Sequence, residues 1–500
     1  MTNITMDVDT KALRQRILTL AIQGKLTEQR KEDGNAQDLY NQIQEEKKRL
    51  IKEKKIKKTK KLPEITEDEI PFDIPENWMW ARLGDIFQVN PRNHVENENI
   101  DVSFLPMASI DEGYGSNYHP EIRKWKEVKK GFTHFANNDV VLAKISPCFQ
   151  NLKSAFIHDL VNGIGAGTTE LHVLRMFANT IDAQYLLYFV QNPGLINAGV
   201  KTFKGVVGQQ RISTDFIKEY LIPLPPLAEQ KRIADKVSSL FVQLDAIDKA
   251  YEEYQELQQT MKSRLLEQAI QGKLTDQRKE DGNAQDLYNQ IQEEKQRLIK
   301  EKKIKKAKPL PAITEEEKRF ELPQSWKWCK IDDLAFVTKL AGFEYTEYIQ
   351  PNLQQNGVPL IKGKNVQNGE IVWSFESYIP EKISDELFRS QLSKKCLLTP
   401  YVGTIGNIAI FDAHIKAHLG SNVGKIELFN NTEQHVLEEY VFYYLKSPIG
   451  LSELQKHKKS TAQASISIQA IRDVNIPLPP LVEQKRIVEK LDKLLPLCEA

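Results

Sequence analysis

The most regular hydrophobic pattern of the chain runs through its middle, from Ile233 to Leu265. Apolar residues recur there at alternating steps of four and three positions, with Gln258 as a polar interruption. This spacing is typical of a coiled-coil seam. Because Pro225 and Pro226 precede the pattern and Gly272 follows it, we expect one long helix across 227–268. The seam residues are Ile233, Val237, Leu240, Leu244, Ile247, Tyr251, Tyr254, Met261 and Leu265.

The same seam continues at both ends of the chain. It resumes near the C-terminus in Ile487, Leu491, Leu494 and Cys498, and near the N-terminus in Leu13 and Ile17. We therefore expect the two ends together to supply the partner of the long helix, giving a long antiparallel coiled coil. An ordinary amphipathic core helix is the alternative interpretation.

A second helical pattern starts at Ala36, with Leu39, Ile43 and Leu50 spaced for one face. Its C-terminal part is strongly basic, and two interpretations stay open. The lysines could contact a phosphate backbone, or they could be a solvated helix end favoured by the helix dipole. The basic residues are Lys47, Lys48, Arg49, Lys52, Lys54, Lys55, Lys57 and Lys58.

Two stretches of the chain, about 82–204 and 330–458, have the mixed pattern of α/β domains. Short apolar runs at 140–142, 171–174, 396–398 and 423–428 predict strands. Runs rich in tyrosine and leucine at 185–190 and 440–445 predict helices that end near Pro193 and Pro448. We expect each stretch to form an α/β head with a curved sheet.

The elements around these heads are written twice. Residues 21–58 recur as 269–306, with changes only at Glu28 (Asp276) and Lys48 (Gln296). Residues 222–233 (IPLPPLAEQKRI) recur as 476–487 (IPLPPLVEQKRI), whereas the heads share little sequence. Matching parts can hold two copies of one partner, and unlike parts must discriminate between different targets. The sequence thus predicts a two-headed reader on a repeated frame.

One repeat is complete in the middle of the chain and the other is divided between the two ends. Met1 falls opposite Lys249 in the repeat, and Ala500 falls opposite Ala246. We expect a pseudo-twofold, circularly permuted arrangement, which is tolerated when chain ends meet in space. A clipped C-terminus would give a similar pattern and is the alternative.

Each head opens with a Trp-x-Trp motif, Trp78 with Trp80 and Trp326 with Trp328. We expect these rings to seal the head against the linker, and contact with DNA bases is the alternative.

Composition narrows the class of protein. The formal net charge is +1, so the excess of lysine is confined to segments such as the end of the second helical pattern. No apolar stretch of about 18 residues exists and the N-terminus lacks signal-peptide character, which predicts a soluble, cytoplasmic chain. The 4 cysteines, Cys148, Cys329, Cys396 and Cys498, lie far apart, so neither disulfides nor zinc ribbons are expected.

Catalytic motifs are missing from the sequence. Residues 420–425 (GSNVGK) resemble a phosphate loop but have one residue too few between the glycines, and Ile426 replaces the hydroxyl that would hold Mg²⁺. His414 and His418 lack a following glutamate and a third metal ligand. Neither a dinucleotide-binding glycine motif nor an Asn-Pro-Pro-aromatic methyltransferase loop is present. We therefore expect no bond chemistry from this chain.

The loop after the tyrosine-rich helix is the main candidate for DNA contact in each head. Glycines would allow close backbone approach, lysines suit phosphates, and Gln or Arg can read base edges. We assign base contact to Gln210 and Arg211, and backbone positioning or turn closure to Gln209 and Gln463, which match each other. Lys144 and Lys153 are further candidates for DNA contact, with surface solvation as the alternative. The other candidates in the two loops are Lys201, Lys204, Lys456, Lys458 and Lys459.

The repeated motifs are similar to those of the specificity subunits of type I restriction–modification systems. The resemblance rests on both IPLPPL-x-EQKRI segments, the AIQGKLT turns at 21–27 and 269–275, the LP-x-IT linkers at 62–66 and 310–314, and the Trp-x-Trp motifs. Together these motifs span essentially the whole chain.

The resemblance implies an α+β fold with two α/β target-recognition domains separated by a long antiparallel coiled coil. Each domain would read half of a bipartite, asymmetric site in double-stranded DNA, and the helices would fix the gap. The implied segments are conserved helices at 1–26, 227–274 and 481–500, basic segments with linkers at 27–71 and 275–319, and recognition domains at 72–226 and 320–480.

The resemblance also implies partners and assigns catalysis to them. Two modification subunits and, in the full complex, restriction subunits would use S-adenosylmethionine, ATP and Mg²⁺, with no cofactor in this chain and no membrane partner. The repeated helices would bind the modification subunits through Glu229, Arg232, Glu483 and Arg486, although solvated helix starts are an equal alternative. A fused restriction–methyltransferase enzyme and a protein-only coiled-coil scaffold are the competing functions.

Overall fold

The computed structural model describes residues 8–177, 179–206, 208–430, 436–456, 458 and 464–498. The chain divides into two compact units, the first ending at Tyr251 and the second beginning at Glu252. Each unit contains its own head of mixed helices and sheets and its own helical frame.

The helices of the first unit come before, within and after its head. They are α1 (Thr10–Ile22), α2 (Ala36–Lys52), α3 (Leu83–Ile86), α4 (Trp125–Val128), α5 (Ala183–Val190), α6 (Pro193–Lys201), α7 (Thr214–Glu219) and the start of α8 (Leu227–Ile270). Its strands are β1 (Met79–Arg82), β2 (Phe87–Val89), β3 (Asp101–Leu105), β4 (Glu121–Lys124), β5 (Thr133–Ala136), β6 (Val140–Ala143), β7 (Ser154–Phe156), β8 (Ile164–Gly167), β9 (Leu171–Met176) and β10 (Leu221–Leu224).

The second unit has a matching set. Its helices are the end of α8, then α9 (Ala284–Lys300), α10 (Ile331–Leu334), α11 (Gly342–Glu344), α12 (Glu381–Glu386), α13 (Glu438–Lys446), α14 (Pro448–Gln455), α15 (Ile468–Arg472) and α16 (Leu481–Leu494). Its strands are β11 (Lys327–Lys330), β12 (Ala335–Lys339), β13 (Val358–Ile361), β14 (Val366–Gln367), β15 (Glu370–Ile371), β16 (Tyr378–Ile379), β17 (Gln391–Leu392), β18 (Cys396–Pro400), β19 (Ala409–Phe411), β20 (Ala417–Leu419), β21 (Val423–Leu428) and β22 (Asn475–Leu478).

The two heads have the same sheet topology despite their different sequences. The first has the strand orders β2-β9-β6-β7 and β4-β3-β8-β5, and the second has β12-β21-β18-β19 and β16-β13-β20-β17. In each head one pair is parallel, β3 with β8 and β13 with β20. The second head adds a hairpin, β14-β15. The predicted α+β class with two α/β heads is confirmed, as are the strands and helices expected within them.

A two-stranded sheet closes each head where the chain enters and leaves it. The Trp-x-Trp strand β1 pairs antiparallel with β10, and β11 pairs in the same way with β22. A buried tyrosine from the neighbouring helix fixes this sheet, because Tyr185 donates to the carbonyl of Pro223 at 2.7 Å and Tyr440 donates to that of Pro477 at 2.8 Å.

The predicted long helix is confirmed as α8, which has 44 residues. The first part of its seam is buried, with Ile233 and Val237 fully covered and Leu244 nearly so. The later seam residues Ile247 and Met261 are 43 % and 54 % exposed, so the expectation of a buried seam along the whole helix is not met. The helix α1 begins only at Thr10, whose hydroxyl donates to Asp248, and this limits the length of seam that α1 covers.

In each unit, a helix that has the sequence EQKR near its start (229–232 or 483–486) pairs with a helix that ends at a GKLT turn (24–27 or 272–275). In the first unit these are the start of α8 and α1, which run antiparallel because Thr10 and Arg14 bond to Asp248 and Asp245. In the second unit they are α16 and the end of α8, which share one hydrophobic core. The divided repeat thus supplies the same helix pair to each unit.

Candidate nucleic-acid interface

The predicted DNA loop of the first head is a hairpin that leaves the end of α6. Lys204 and Arg211 exchange backbone hydrogen bonds of 3.2 and 3.0 Å across it. Gly205 and Gly208 have φ angles of +123° and +83°, which glycine adopts readily. Lys204 and Gln209 are exposed on this hairpin, and Lys201 is exposed at the end of α6, so their contact with DNA stays a prediction.

The hairpin base joins a second predicted segment, the loop that follows β6. Ile212 donates its N–H to the carbonyl of Lys144 at 3.0 Å, and Ser146 donates to the carbonyl of Gln210 at 2.8 Å. The peptide bond between Ser146 and Pro147 is cis. Lys144 therefore lies beside Gln210 and Arg211, although it is far from them in the sequence.

Arg211 is held by a carboxylate in this structure. Its Nε and Nη2 donate to the two carboxylate oxygens of Glu170 at 2.9 and 2.8 Å, and its Nη1 donates to the carbonyl of Gln209 at 2.7 Å. This hydrogen bonding with Arg211 lowers the pKa of the Glu170 carboxyl, and Lys144 contributes through its charge. The guanidinium is thus fixed in orientation at the hairpin base.

The ammonium group of Lys153 is hydrogen-bonded within the head. Its Nζ donates to the carbonyl of Ile110 at 2.7 Å and lies 3.4 Å from that of Met107. The ammonium therefore ties two loops of the head together, and the prediction that Lys153 contacts DNA does not fit this geometry.

The second head has the same backbone hydrogen bonds at the base of its loop. Ile466 donates to the carbonyl of Tyr401 at 2.9 Å, and Gly403 donates to that of Ala464 at 2.9 Å. Lys458 is exposed, and Lys456 lies 3.2 Å from Glu317. The candidates Lys459 and Gln463 lie outside the described residues.

The basic ends of α2 and α9 have the same turn. Lys54 and Lys302 adopt φ angles of +56° and +59°, and the following N–H groups return to the carbonyls of Leu50 and Leu298. Such a left-handed residue after a helix is a common C-terminal cap. The lysines beyond each cap are exposed, which fits both a phosphate contact and a solvated helix end. They are Lys54, Lys55, Lys57 and Lys58 in the first unit, and Lys302, Lys303, Lys305 and Lys306 in the second.

Lys47, earlier in the same helix, is not part of this exposed set. Its Nζ donates to the carbonyl of Gly84 at 3.1 Å, and burial lowers its pKa. It therefore joins α2 to the head.

The glutamates predicted to bind a partner are buried. Glu229, at the start of α8, is 0 % exposed and accepts hydrogen bonds from Trp78 Nε1 at 2.8 Å, Gln29 Nε2 at 2.6 Å and Thr27 Oγ1 at 3.1 Å. The prediction that this carboxylate contacts a partner chain does not fit this burial. It joins the helix, the GKLT turn and the Trp-x-Trp motif within the first unit.

The second unit repeats the arrangement. Glu483 is 1 % exposed and accepts from Trp326 Nε1 at 2.7 Å and from Gln277 and Thr275. The prediction that Glu483 contacts a partner does not fit this burial either. The buried indoles of Trp78 and Trp326 seal the head against its frame, as expected, and are not placed to contact bases.

The predicted partner-binding arginines are also engaged within their own unit. Arg232 pairs with Asp33 at 2.5 Å, and Arg486 pairs with Asp281 at 2.5 Å. Hydrogen bonding to these arginines lowers the pKa of both aspartates. Each pair ties the helix start to the loop before the basic helix, so both arginines have a role inside the fold.

Comparison with known proteins identifies the family. The family model for the type I restriction modification DNA specificity domain matches residues 75–259 and 323–499. The chain belongs to this family. The Escherichia coli protein named type I restriction enzyme EcoAI specificity subunit is 34 % identical over 98 % of this chain and 89 % of its own length. The Escherichia coli EcoEI specificity subunit is 32 % identical over the same shares.

Solved structures show the same fold. A chain from a study of complex assembly and conformational transition of the type I R-M system has a TM-score of 0.62 at 18 % identity, over 86 % of this chain and 93 % of that one. The HsdS subunit from Thermoanaerobacter tengcongensis has a TM-score of 0.52 at 17 % identity, over 86 % and 92 %. At these identities the likeness concerns the fold.

The described part of this family member contains no cluster of three or more metal-ligating His, Cys, Asp or Glu residues. His418 is buried, with its pKa lowered by burial, whereas His414 is exposed beside Asp412.

The four cysteines are free thiols. Among the described helices, none is long and apolar enough to cross a membrane.

Sequence reasoning missed two residues at the candidate interface, Glu170 and Asn422. Each lies just before the strand, β9 or β21, that runs beside the loop. Glu170 is 41 positions from its partner Arg211. A turn residue before a strand gives no periodic signal, and only matching the two heads element by element could have singled it out.

Proposed function

We propose that this chain is the DNA-specificity subunit of a type I restriction–modification complex. Each head would read one half of a bipartite, asymmetric site in double-stranded DNA, and α8 with its helical partners would set the gap between the halves. The main support is structural: the two heads share the strand orders of their four-stranded sheets and carry different residues on closely similar frames. Such a design suits two different half-sites approached in the same way.

The proposal assigns no bond chemistry to the chain. Modification subunits would bring S-adenosylmethionine, and restriction subunits would bring the use of ATP and Mg²⁺. The surface that would contact the modification subunits excludes Glu229 and Glu483, because these carboxylates are enclosed by their own unit. This leaves exposed faces of the repeated helices as the contact region.

Methylome sequencing tests the proposal directly. A methylation-deficient host would express the chain together with its modification subunit, and every methylated position would be mapped. We expect one motif made of two unlike half-sites with a fixed gap. Labelled methyl transfer by the isolated chain would favour a fused enzyme instead. The absence of salt-dependent binding to duplex DNA by the assembled complex would favour a protein-only scaffold.

A further inference from the structure

The junction where the loop base meets the neighbouring strand is built identically in the two heads. In the first head, Lys144 donates its N–H to the carbonyl of Glu170 at 2.9 Å and accepts from Ile212. In the second, Tyr401 donates to the carbonyl of Asn422 at 3.1 Å and accepts from Ile466.

A further bridge completes the match, since Ile145 pairs with Arg211 as Val402 pairs with Ser465. The backbone therefore places three side chains at the same point of each head: Lys144, Glu170 and Arg211 in the first, and Tyr401, Asn422 and Ser465 in the second.

The side chains at these matched positions differ completely in chemistry. The first junction holds two cations and a carboxylate, with Arg211 and Glu170 forming a bidentate ion pair at 42 % and 25 % side-chain exposure. The second holds a phenol, an amide and a hydroxyl. Within the described residues, the side chains of Asn422 and Ser465 make no hydrogen bond. Tyr401 is covered by Lys339, whose Nζ lies 4.5 Å from the ring centroid.

In the second head one residue of the junction, Asn422, lines an open cavity of about 480 Å³. Asn422 lines this cavity together with Gly403 and Thr404, and its lining also includes Gln367 and two lysines, Lys362 and Lys364, which pair with Glu376. Amides and ammonium groups around one cavity suit the polar edge of a base next to its phosphate.

We propose that this junction is the specificity-determining site of each head, and that Arg211 and Asn422 are its base-reading residues. The inference rests on the proposed function and names the residues that carry it out. Two heads that read different half-sites require the same backbone geometry at the reading site but different side chains. A site that only gripped phosphates would need a cation in both heads, and none of the three side chains of the second junction is a cation.

The chemistry of each trio indicates the base that it reads. A guanidinium has five N–H donors, and the contacts to Glu170 and Gln209 leave one N–H on each Nη of Arg211 free. Two such donors match O6 and N7 of guanine, and Glu170 holds the guanidinium in place for them. Asn422 can both donate and accept, which matches N6 and N7 of adenine.

The test uses the whole complex with its modification subunits and compares methylomes of Arg211→Lys, Arg211→Gln and Asn422→Ala chains. Lys130→Gln removes the same charge from an exposed residue of the first head, and Asn356→Ala removes an exposed amide from the second, so these are matched controls. Thermal unfolding of each complex checks that the variants fold, and Arg211→Lys retains the charge if Arg211→Gln does not assemble.

We expect both Arg211 variants to relax one guanine position in one half-site, with discrimination reduced about 5- to 150-fold. Asn422→Ala should relax one adenine position in the other half-site, and the controls should leave the motif unchanged. An unaltered motif, or weaker methylation of all sites without relaxation at any position, would overturn the inference. A wild-type complex without any bipartite motif would instead refute the proposed function.

Discussion

Glu229 is the residue on which three segments of the first unit converge. A buried carboxylate that accepts hydrogen bonds from an indole, an amide and a hydroxyl is fully paired, whereas a group that cannot match these donors leaves them unsatisfied. The sequence showed that this glutamate is repeated but not that it is enclosed, because its partners Thr27 and Trp78 lie far away along the chain.

Glu229→Gln is expected to destabilise the first unit. The substituted amide would turn N–H donors toward the donors of Trp78 and Gln29, at a cost of about 1–3 kcal/mol in the free energy of unfolding. Urea unfolding monitored by tryptophan fluorescence measures this change. Glu256→Gln, at an exposed position of α8, is the control and should stay within about 0.5 kcal/mol of wild type. Equal stability of the two variants would refute the role of Glu229.

The aspartate–arginine pairs make the stability of each unit depend on pH. Because Arg232 lowers the pKa of Asp33 in the folded state, the pair stabilises the fold above the unfolded pKa of about 3.9 and loses this effect as pH falls through the folded pKa. Asp33→Asn should therefore be less stable than wild type at pH 7, and the difference should shrink below about pH 4.

Urea midpoints measured from pH 3 to pH 7 provide the test for Asp33. The variant Asp38→Asn serves as a comparison, since Asp38 is exposed and makes no ion pair with another residue that the structure describes. A difference between Asp33→Asn and wild type that stays constant across this range would contradict the account.

The elements themselves were largely predictable, because helices and strands depend on local periodicity. The seam of α8, the basic helix α2 and the strands β6 and β18 all follow from short-range patterns. The extent of seam burial did not follow, since it depends on where α1 begins. The ion pair between Arg211 and Glu170 did not follow either, because it depends on how separate strands meet.

The turn after α1 contains a glycine with a positive φ, Gly24. Comparing it with Gly34 separates the cost of the left-handed backbone from the cost of a steric clash. Gly24 has a φ of +66°, and a Cβ there would lie 2.4 Å from Pro75, whereas Gly34 has a φ of +78° with open space around it. Gly34→Ala should show only the cost of the left-handed backbone, about 1–2 kcal/mol.

Gly24→Ala should lower the free energy of unfolding by at least about 1 kcal/mol more than Gly34→Ala, because the proline ring must also move. Parallel urea titrations of the two variants measure the difference. Equal losses would mean that the turn and the segment before Trp78 are not held in contact.

At the scale of the whole chain, the duplicated frame makes the two units alike, and the heads make them different. Each unit has the same helix pair, the same buried glutamate and the same sheet topology, and the heads differ at the loop junction. The repeat was evident in the sequence as near-identical segments. The sequence also predicted an α/β head in each half, but not that the two heads share one strand order, because a topology can persist when hardly any residues are shared.

In the proposed function, α8 sets the distance between the two heads that read DNA. Inserting one heptad after Gln259 lengthens the helix by about 10.5 Å, or about three base pairs at 3.4 Å each. Gln259→Ala preserves the length of the helix and is the control. Methylome sequencing of the complex should show a longer gap between two unchanged half-sites. A gap that stays the same after the insertion would contradict the account.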